Sequence, residues 1–316
     1  MFVAGIQQVV TLGALSPSGI YPDDLIGDFD PNHTGSYNEV GTKFTNLVSS
    51  EPNLELKNGI TFVTGDTSRH FLFDGTDDYI GPFDGAYESK FQFNITEGFT
   101  ICSWWKFDEG SPTVNGCLIG SDPVQSDHEG PGEGAAGFAL STHSGEGGGG
   151  DHGTAPLVGS LKIWNIDGGG TMESAACSMM ERYPMKDQYV PRPTFEPDRW
   201  YMISITKKKD ISYFDLFYGP SFEPIMTFGD ISIPDSPYAA EFGGHILRHP
   251  IHNTGAPLTI GRILASDITP TQYANAGYRV GRTLIYNKPL KNSQIRQNYF
   301  ATKKVVDVGH WNLYSY

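Results

Sequence analysis

Positive charge, paired cysteines and long apolar runs are all scarce in this sequence. Lys and Arg number 22 against 36 Asp and Glu, for a formal net charge of −14. Nucleic acid is held by clustered Lys and Arg that neutralise phosphates. The only basic run, Lys207-Lys208-Lys209, is followed at once by Asp210 and reads as a turn between strands, so no nucleic-acid partner is expected. The acidic balance favours solubility and cation binding. No window approaches the ~18 continuous apolar residues of a membrane helix, and no membrane insertion is expected. The first 42 residues hold no Lys or Arg, so the basic segment that opens a secretory signal is missing. Three cysteines, Cys102, Cys117 and Cys177, are odd in number and widely spaced. They form neither a disulfide framework nor a zinc pattern. They are expected to be free thiols, with Cys102 in the core, in a chain made and folded in a cytoplasm even if it acts elsewhere.

Catalytic signatures are scarce too. There is no G-x-S-x-G elbow to present a serine nucleophile. His245, His249 and His252 have i, i+4, i+7 spacing, but Gly243-Gly244 and Pro250 argue against a helix there. Zinc would need converging imidazoles with a fixed second shell. The three read as a solvated loop.

What is abundant is glycine (38), proline (21) and aromatic residues (13 %), beside a charged share of only 18 %. Short strands joined by Gly/Pro turns produce this profile; long helices do not. At 316 residues the chain is expected to be one large sandwich, since all-β domains often exceed ~200 residues.

Along the chain, residues 1–20 are uncharged and apolar to small, an added edge strand or an arm laid on a neighbour. Asn58-Gly59 is a turn signal between Leu54–Leu56 and Ile60–Val63. Phe71–Phe73 leads through a polar turn, Asp74 to Asp78, into Tyr79-Ile80. The strongest strand is Gly98–Phe107. Phe99, Ile101, Ser103, Trp105 and Phe107 share one face, and Thr100, Cys102, Trp104 and Lys106 the other. Apolar and aromatic residues on both faces predict a central strand covered on both sides. Residues 109–156, with Gly147 to Gly150, read as a long structureless insertion, unusual inside a compact domain and often functional. Leu161–Ile166 restores the strand pattern. Trp200–Thr206 and Ser212–Tyr218 read as a hairpin around the lysine run. Leu258–Gly261 and Arg279–Tyr286 are the last strands expected. Leu290–Phe300, with Leu290, Ile295 and Tyr299 near helical spacing, is the one helix expected.

Four segments in order resemble the laminin G-like branch of the concanavalin A-like lectin/glucanase superfamily. Phe71-Leu72-Phe73-Asp74-Gly75-Thr76-Asp77-Asp78-Tyr79-Ile80 is similar to its FDGxxDYI strand-turn-strand. Phe99-Thr100-Ile101-Cys102-Ser103-Trp104-Trp105-Lys106 is similar to FTISxWVK. Asp198 to Ile205 is similar to GxWYHIAIT, and Tyr286 to Tyr299 to YNRALSxxEIxQNY. Ahead of them, Asp28 to Tyr37, Gly41 to Leu47 and Leu56 to Phe62 resemble the opening of laminin G-like proteins common in tailed-phage virions. The resemblance implies an all-β, two-sheet antiparallel jelly-roll sandwich of about a dozen strands over residues 21–303, with one short C-terminal helix. It also implies a role in a virion as a capsid decoration, fibre or other tail component. Residues 1–20 would then be an N-terminal anchoring arm and residues 304–316 a C-terminal aromatic tail. The chain departs from the family in its long 109–156 and 219–257 segments. It also lacks a plain DGV hairpin turn, where Phe217-Tyr218-Gly219-Pro220 stands instead.

The glucanases of that superfamily place their carboxylates as E-x-D-x-E on one strand face, and no such triplet occurs here. Glycoside hydrolysis needs two carboxylates about 5–10 Å apart across the bond. Asp127 and Glu129 lie in a glycine loop poorly suited to that, so the chain is read as no enzyme. Calcium takes oxygens from loop carboxylates and carbonyls. The candidate ligands are Asp74, Asp77 and Asp78, and, in the insertion, Asp122, Asp127, Glu129 and Asp151; turn-capping by Asp is the competing account of the first set. Trp104, Trp105, Trp164 and Trp200 are expected mainly in the core. Trp311, Tyr314 and Tyr316 are the candidates for glycan or partner contact, the tail serving as a strap over its own sandwich or as an anchor in a neighbour's pocket.

The expectation is a non-enzymatic phage virion structural protein, needing no cofactor unless calcium. Its expected partners are the major capsid or tail protein of the same virion, with a host-surface glycan and a second copy of the chain as further candidates. A carbohydrate-binding module or adhesin without a virion role is the alternative, and a glycoside hydrolase the more distant one.

Overall fold

The computed structural model describes residues 19–48, 52–64, 68–83, 98–108, 116–121, 137–143, 160–166, 172–177, 198–208, 211–218, 226–228, 258–263, 272–274 and 276–306. The described residues form an all-β sandwich of two antiparallel eight-stranded sheets with one helix. The first sheet runs in the order β14 (Met226–Phe228), β13 (Ile211–Tyr218), β12 (Trp200–Lys208), β7 (Gly98–Phe107), β18 (Tyr278–Tyr286), β5 (His70–Leu72), β4 (Thr61–Val63). Strand β1 (Leu25–Phe29) also pairs with β18. The second sheet runs β11 (Met172–Cys177), β10 (Ser160–Ile166), β9 (Gly137–His143), β8 (Gly116–Ser121), β15 (Leu258–Ile260), β6 (Tyr79–Pro82), β3 (Leu54–Lys57), β2 (Lys43–Phe44). A small ribbon joins β16 (Arg262–Ile263) to β17 (Gln272–Tyr273). None of the described helices is long and apolar enough to cross a membrane.

Strand β7 behaves as its alternation predicts. Phe99, Ile101, Trp105 and Phe107 enter the core between the sheets, and Cys102 and Trp104 enter a second core on the opposite face. The inter-sheet core is aromatic. Tyr37 meets Phe62 and Phe71 edge-on at 4.8 and 5.1 Å, Phe107 meets Tyr278 at 4.9 Å, and Phe73 stacks on Trp105 at 6.0 Å. Edge-on and offset contacts of this kind suit the aromatic quadrupole.

The second core lies under helix α1 (Asn292–Val306), which starts just inside the predicted Leu290–Phe300 helix and runs beyond its end. Gln294 Oε1 accepts from the Lys291 backbone N–H at 2.7 Å, so the helix starts by reaching back over its own first turn. Ile295 and Tyr299 face the sheet together with Leu290. Tyr299 stacks on Trp104 at 5.5 Å, and the Trp104 indole donates to Thr302 Oγ1 at 2.8 Å. Ile20 is buried in this core, and Gln297 donates to the Gly19 carbonyl at 3.1 Å.

One expectation is corrected, and two expected turns prove to carry the chain between the sheets. Asn58-Gly59 is a turn, both residues having positive φ (63° and 104°), but it does not close a hairpin. Strand β3 pairs with β2 and β6, β4 pairs with β5, and the turn carries the chain from one sheet to the other. The polar turn Asp74 to Asp78 crosses back in the same way, from β5 to β6. Nor is the 109–156 insertion structureless. It contributes β8 and β9, with Cys117, Leu118, Ile119 and Leu140 buried in the second sheet. Glycines at both ends of β8 mask its short apolar run. The hairpin of β12 and β13 is as expected, with Lys207 opposite Ser212 and Lys208 opposite Ile211. Cys102 and Cys117 are buried and lie outside any disulfide.

Candidate functional site

At one rim of the sandwich the two crossing turns lie side by side. Asn58 Nδ2 donates to the Asp77 carbonyl at 2.8 Å, tying the first turn to the second. The second is held against the approach to β18 by bonds from Phe73 N–H to the Tyr278 carbonyl (3.0 Å) and from Gly277 N–H to the Phe73 carbonyl (3.2 Å). Gly75 sits at φ 83°, and a Cβ there would lie 2.4 Å from the Ala276 nitrogen. Only glycine fits both the left-handed backbone and that approach.

This turn brings together the three acidic residues singled out from the sequence. Asp74, Asp77 and Asp78 each place a carboxylate oxygen within 4.8 Å of the others. Two of them also cap the turn. Asp74 Oδ1 accepts from Thr76 N–H at 2.7 Å, and Asp78 Oδ2 accepts from Asp74 N–H at 2.9 Å. Asp78 is only 3 % exposed, and its Oδ1 is buried without a hydrogen-bond partner. Burial first, and then the neighbouring charges of Asp74 and Asp77, push its carboxyl above the usual range; the Asp74 N–H opposes them. Beside the turn, the Arg262 guanidinium lies over the Tyr79 ring at 3.6 Å.

A second charged group, not read from the sequence, pins β1 to β18. Arg282 donates from Nε to Asp28 Oδ1 at 2.8 Å and from Nη2 to Asp28 Oδ2 at 2.7 Å, and its Nη1 lies 3.2 Å from Asp30 Oδ2. All three residues are buried. Burial lowers the affinity of the guanidinium for its proton, but the bonds and charges of Asp28 and Asp30 outweigh it and hold Arg282 above its usual value. The partners are 254 residues apart, and no local pattern announces such a pair.

The tryptophans Trp104, Trp105 and Trp200 are buried and offer no exposed platform to a sugar. Trp311, Tyr314 and Tyr316 lie outside the described residues, as do His245, His249 and His252 and the insertion acids Asp122, Asp127, Glu129 and Asp151.

No protein-family model matches the chain, and no curated protein matches its sequence. Solved structures do match. The binding domain of Paraclostridial Mosquitocidal Protein 1 is similar over 89 % of this chain and 52 % of its own, at 15 % identity and a TM-score of 0.50. The likeness is one of fold. The botulinum neurotoxin serotype G binding domain is similar over 87 % of this chain and 50 % of its own, at 9 % identity and a TM-score of 0.51. The chain thus spans about half the length of these solved domains. At such identity the shared β-sandwich carries over, and no residue's role does.

Proposed function

We propose that this chain is a non-catalytic recognition domain of a phage virion, docked on the major capsid or tail protein and adhering to glycan on the host surface. The observation that carries the recognition part is the sandwich itself. Its similar structures are the binding domains of a mosquitocidal protein and of a neurotoxin, and this likeness of fold supports a binding duty. Among the described residues, the clustered carboxylates of the rim sit in one turn instead of flanking a cleft, which favours binding over glycoside hydrolysis.

The virion part is supported by the Asp28 to Phe62 stretch and its resemblance to virion laminin G-like openings. That stretch supplies β1, β2, β3 and β4, and Phe29, Tyr37 and Phe44 pack in the main core. It is therefore integral to the sandwich. The localisation proposed is the virion, after synthesis in the host cytoplasm. A free adhesin or carbohydrate-binding module is the second reading, favoured by the same fold likeness.

Two measurements separate them. Mass spectrometry of purified particles detects the chain in stoichiometric amount if the virion role holds, and its absence from particles overturns that role. A glycan array probed with the full chain gives saturable, sugar-competed signals if it is a lectin. A blank array overturns glycan adhesion and leaves docking on the particle as its duty.

A further inference from the structure

We propose that the Asp74–Asp78 turn is a binding site for one divalent cation, with calcium as the ion its donors suit. Capping the turn is the ordinary duty of aspartates in such a position, and it accounts for one oxygen of Asp74 and one of Asp78. It leaves Asp78 Oδ1 buried with no hydrogen-bond partner. A buried carboxylate oxygen beside two further carboxylates calls for a cation in its place. Among the described residues no Lys or Arg forms an ion pair with any of the three.

The spacing suits a metal. Calcium–oxygen distances of about 2.3–2.6 Å put ligands on opposite sides of the ion roughly 5 Å apart. Three oxygens mutually within 4.8 Å can therefore share one ion without a change of backbone. The donors are all carboxylate oxygens, which select a hard cation over zinc or copper. A loop that leaves further positions to carbonyls and water suits the larger, less demanding calcium better than magnesium.

The frame is held independently of the metal. The Asn58 bond to the Asp77 carbonyl, the Gly75 contact with Ala276 and the two bonds to Phe73 fix the turn. The ion would neutralise charge at the place where both crossing turns meet, stiffening the rim. The inference does not rest on the glycan reading.

The test uses the full chain stripped with chelator, titrated calorimetrically with calcium chloride and melted with and without the ion. One saturable site per chain is expected, with a dissociation constant on the order of 10⁻⁴–10⁻³ M and a calcium-dependent rise in Tm. Asp78→Asn removes a turn acceptor and could unfold the rim. Asp77→Asn is the cleaner variant, since its side chain caps nothing among the described residues. It should weaken binding about tenfold or more while leaving the metal-free Tm unchanged. Absence of both calcium heat and Tm shift overturns the site, and so does wild-type affinity in Asp77→Asn. Magnesium binding as tightly as calcium overturns the choice of ion.

Discussion

Replacing Arg282 by methionine tests whether a buried charge group holds the first strand of the sandwich to the last. The guanidinium makes a two-pronged contact with Asp28 at 2.7 and 2.8 Å and a further one with Asp30 at 3.2 Å. It sits where β18 departs from regular pairing with β7, between Val280 and Thr283. There the neighbouring edge passes from β5, opposite Arg279 and Val280, to β1, opposite Thr283 to Tyr286. Removing the cation leaves two buried carboxylates facing each other. Breaking a buried pair from one side costs about 3–5 kcal/mol, so Arg282→Met should lose ~4 kcal/mol. Arg282→Lys keeps the charge but loses the fork, and should lose roughly half of that. Asp28→Asn with Arg282→Met should cost less than the two single changes summed, by about 2 kcal/mol. Urea unfolding followed by tryptophan fluorescence reads all four variants. A loss below ~1 kcal/mol in Arg282→Met, or additivity in the double variant, would refute the reasoning.

Glycine positions give a paired test. Gly59→Ala meets nothing within 4 Å but must adopt φ 104°, so it should cost roughly 1–2 kcal/mol of backbone strain alone. Gly261→Ala adds a methyl group 2.4 Å from the Phe73 ring at φ 85°, and overpacking should raise its cost by a further ~1–3 kcal/mol in denaturant titration. Tyr299→Ala removes the ring stacked on Trp104 and should cost ~3–5 kcal/mol. Hydrogen exchange should then quicken across Asn292–Val306 before it does in β7; equal rates in both would show the helix is not a separate layer. Burial, and next the charge of Cys102, hold the Tyr286 phenol above its usual 10.0, against the Asn298 hydrogen bond. The folded state therefore keeps a proton that the unfolded chain releases. Stability from this group is intact below about pH 10 and falls as pH rises beyond it. Tyr286→Phe should flatten that alkaline fall, measured as unfolding free energy between about pH 8 and 11.

Strand β7 was legible because ten residues alternate without interruption and both faces carry apolar groups. The β12–β13 hairpin was legible for the same reason. What alternation does not carry is the sheet to which a strand belongs. Asn58-Gly59 has the chemistry of a hairpin turn, and only the long-range pairing of β3 with β6 and β4 with β5 shows that the chain changes sheets there. Strand β8 escaped notice because its stability comes from neighbours on both sides, β9 and β15, more than from its own four side chains. The acidic turn was visible as a cluster of like residues. That Asp78 is buried while Asp74 is exposed depends on the packing of the whole rim. The Arg282 group was invisible, since its members are brought together only when the sandwich closes.

The place of β18 in the first sheet has a consequence for how the chain is made. Strands β1, β5 and β7 emerge from the ribosome early, yet each has β18 as a neighbour, and β18 begins only at Tyr278. Until that segment is synthesised, β7 lacks its partner on one side, and Phe99, Ile101 and Trp105 lack part of their cover. Sequence-distant pairing slows folding, and a half-built sheet with open edges invites association with other chains. Strand β1, whose described partner is β18, therefore has its place in the sheet only once β18 has been made.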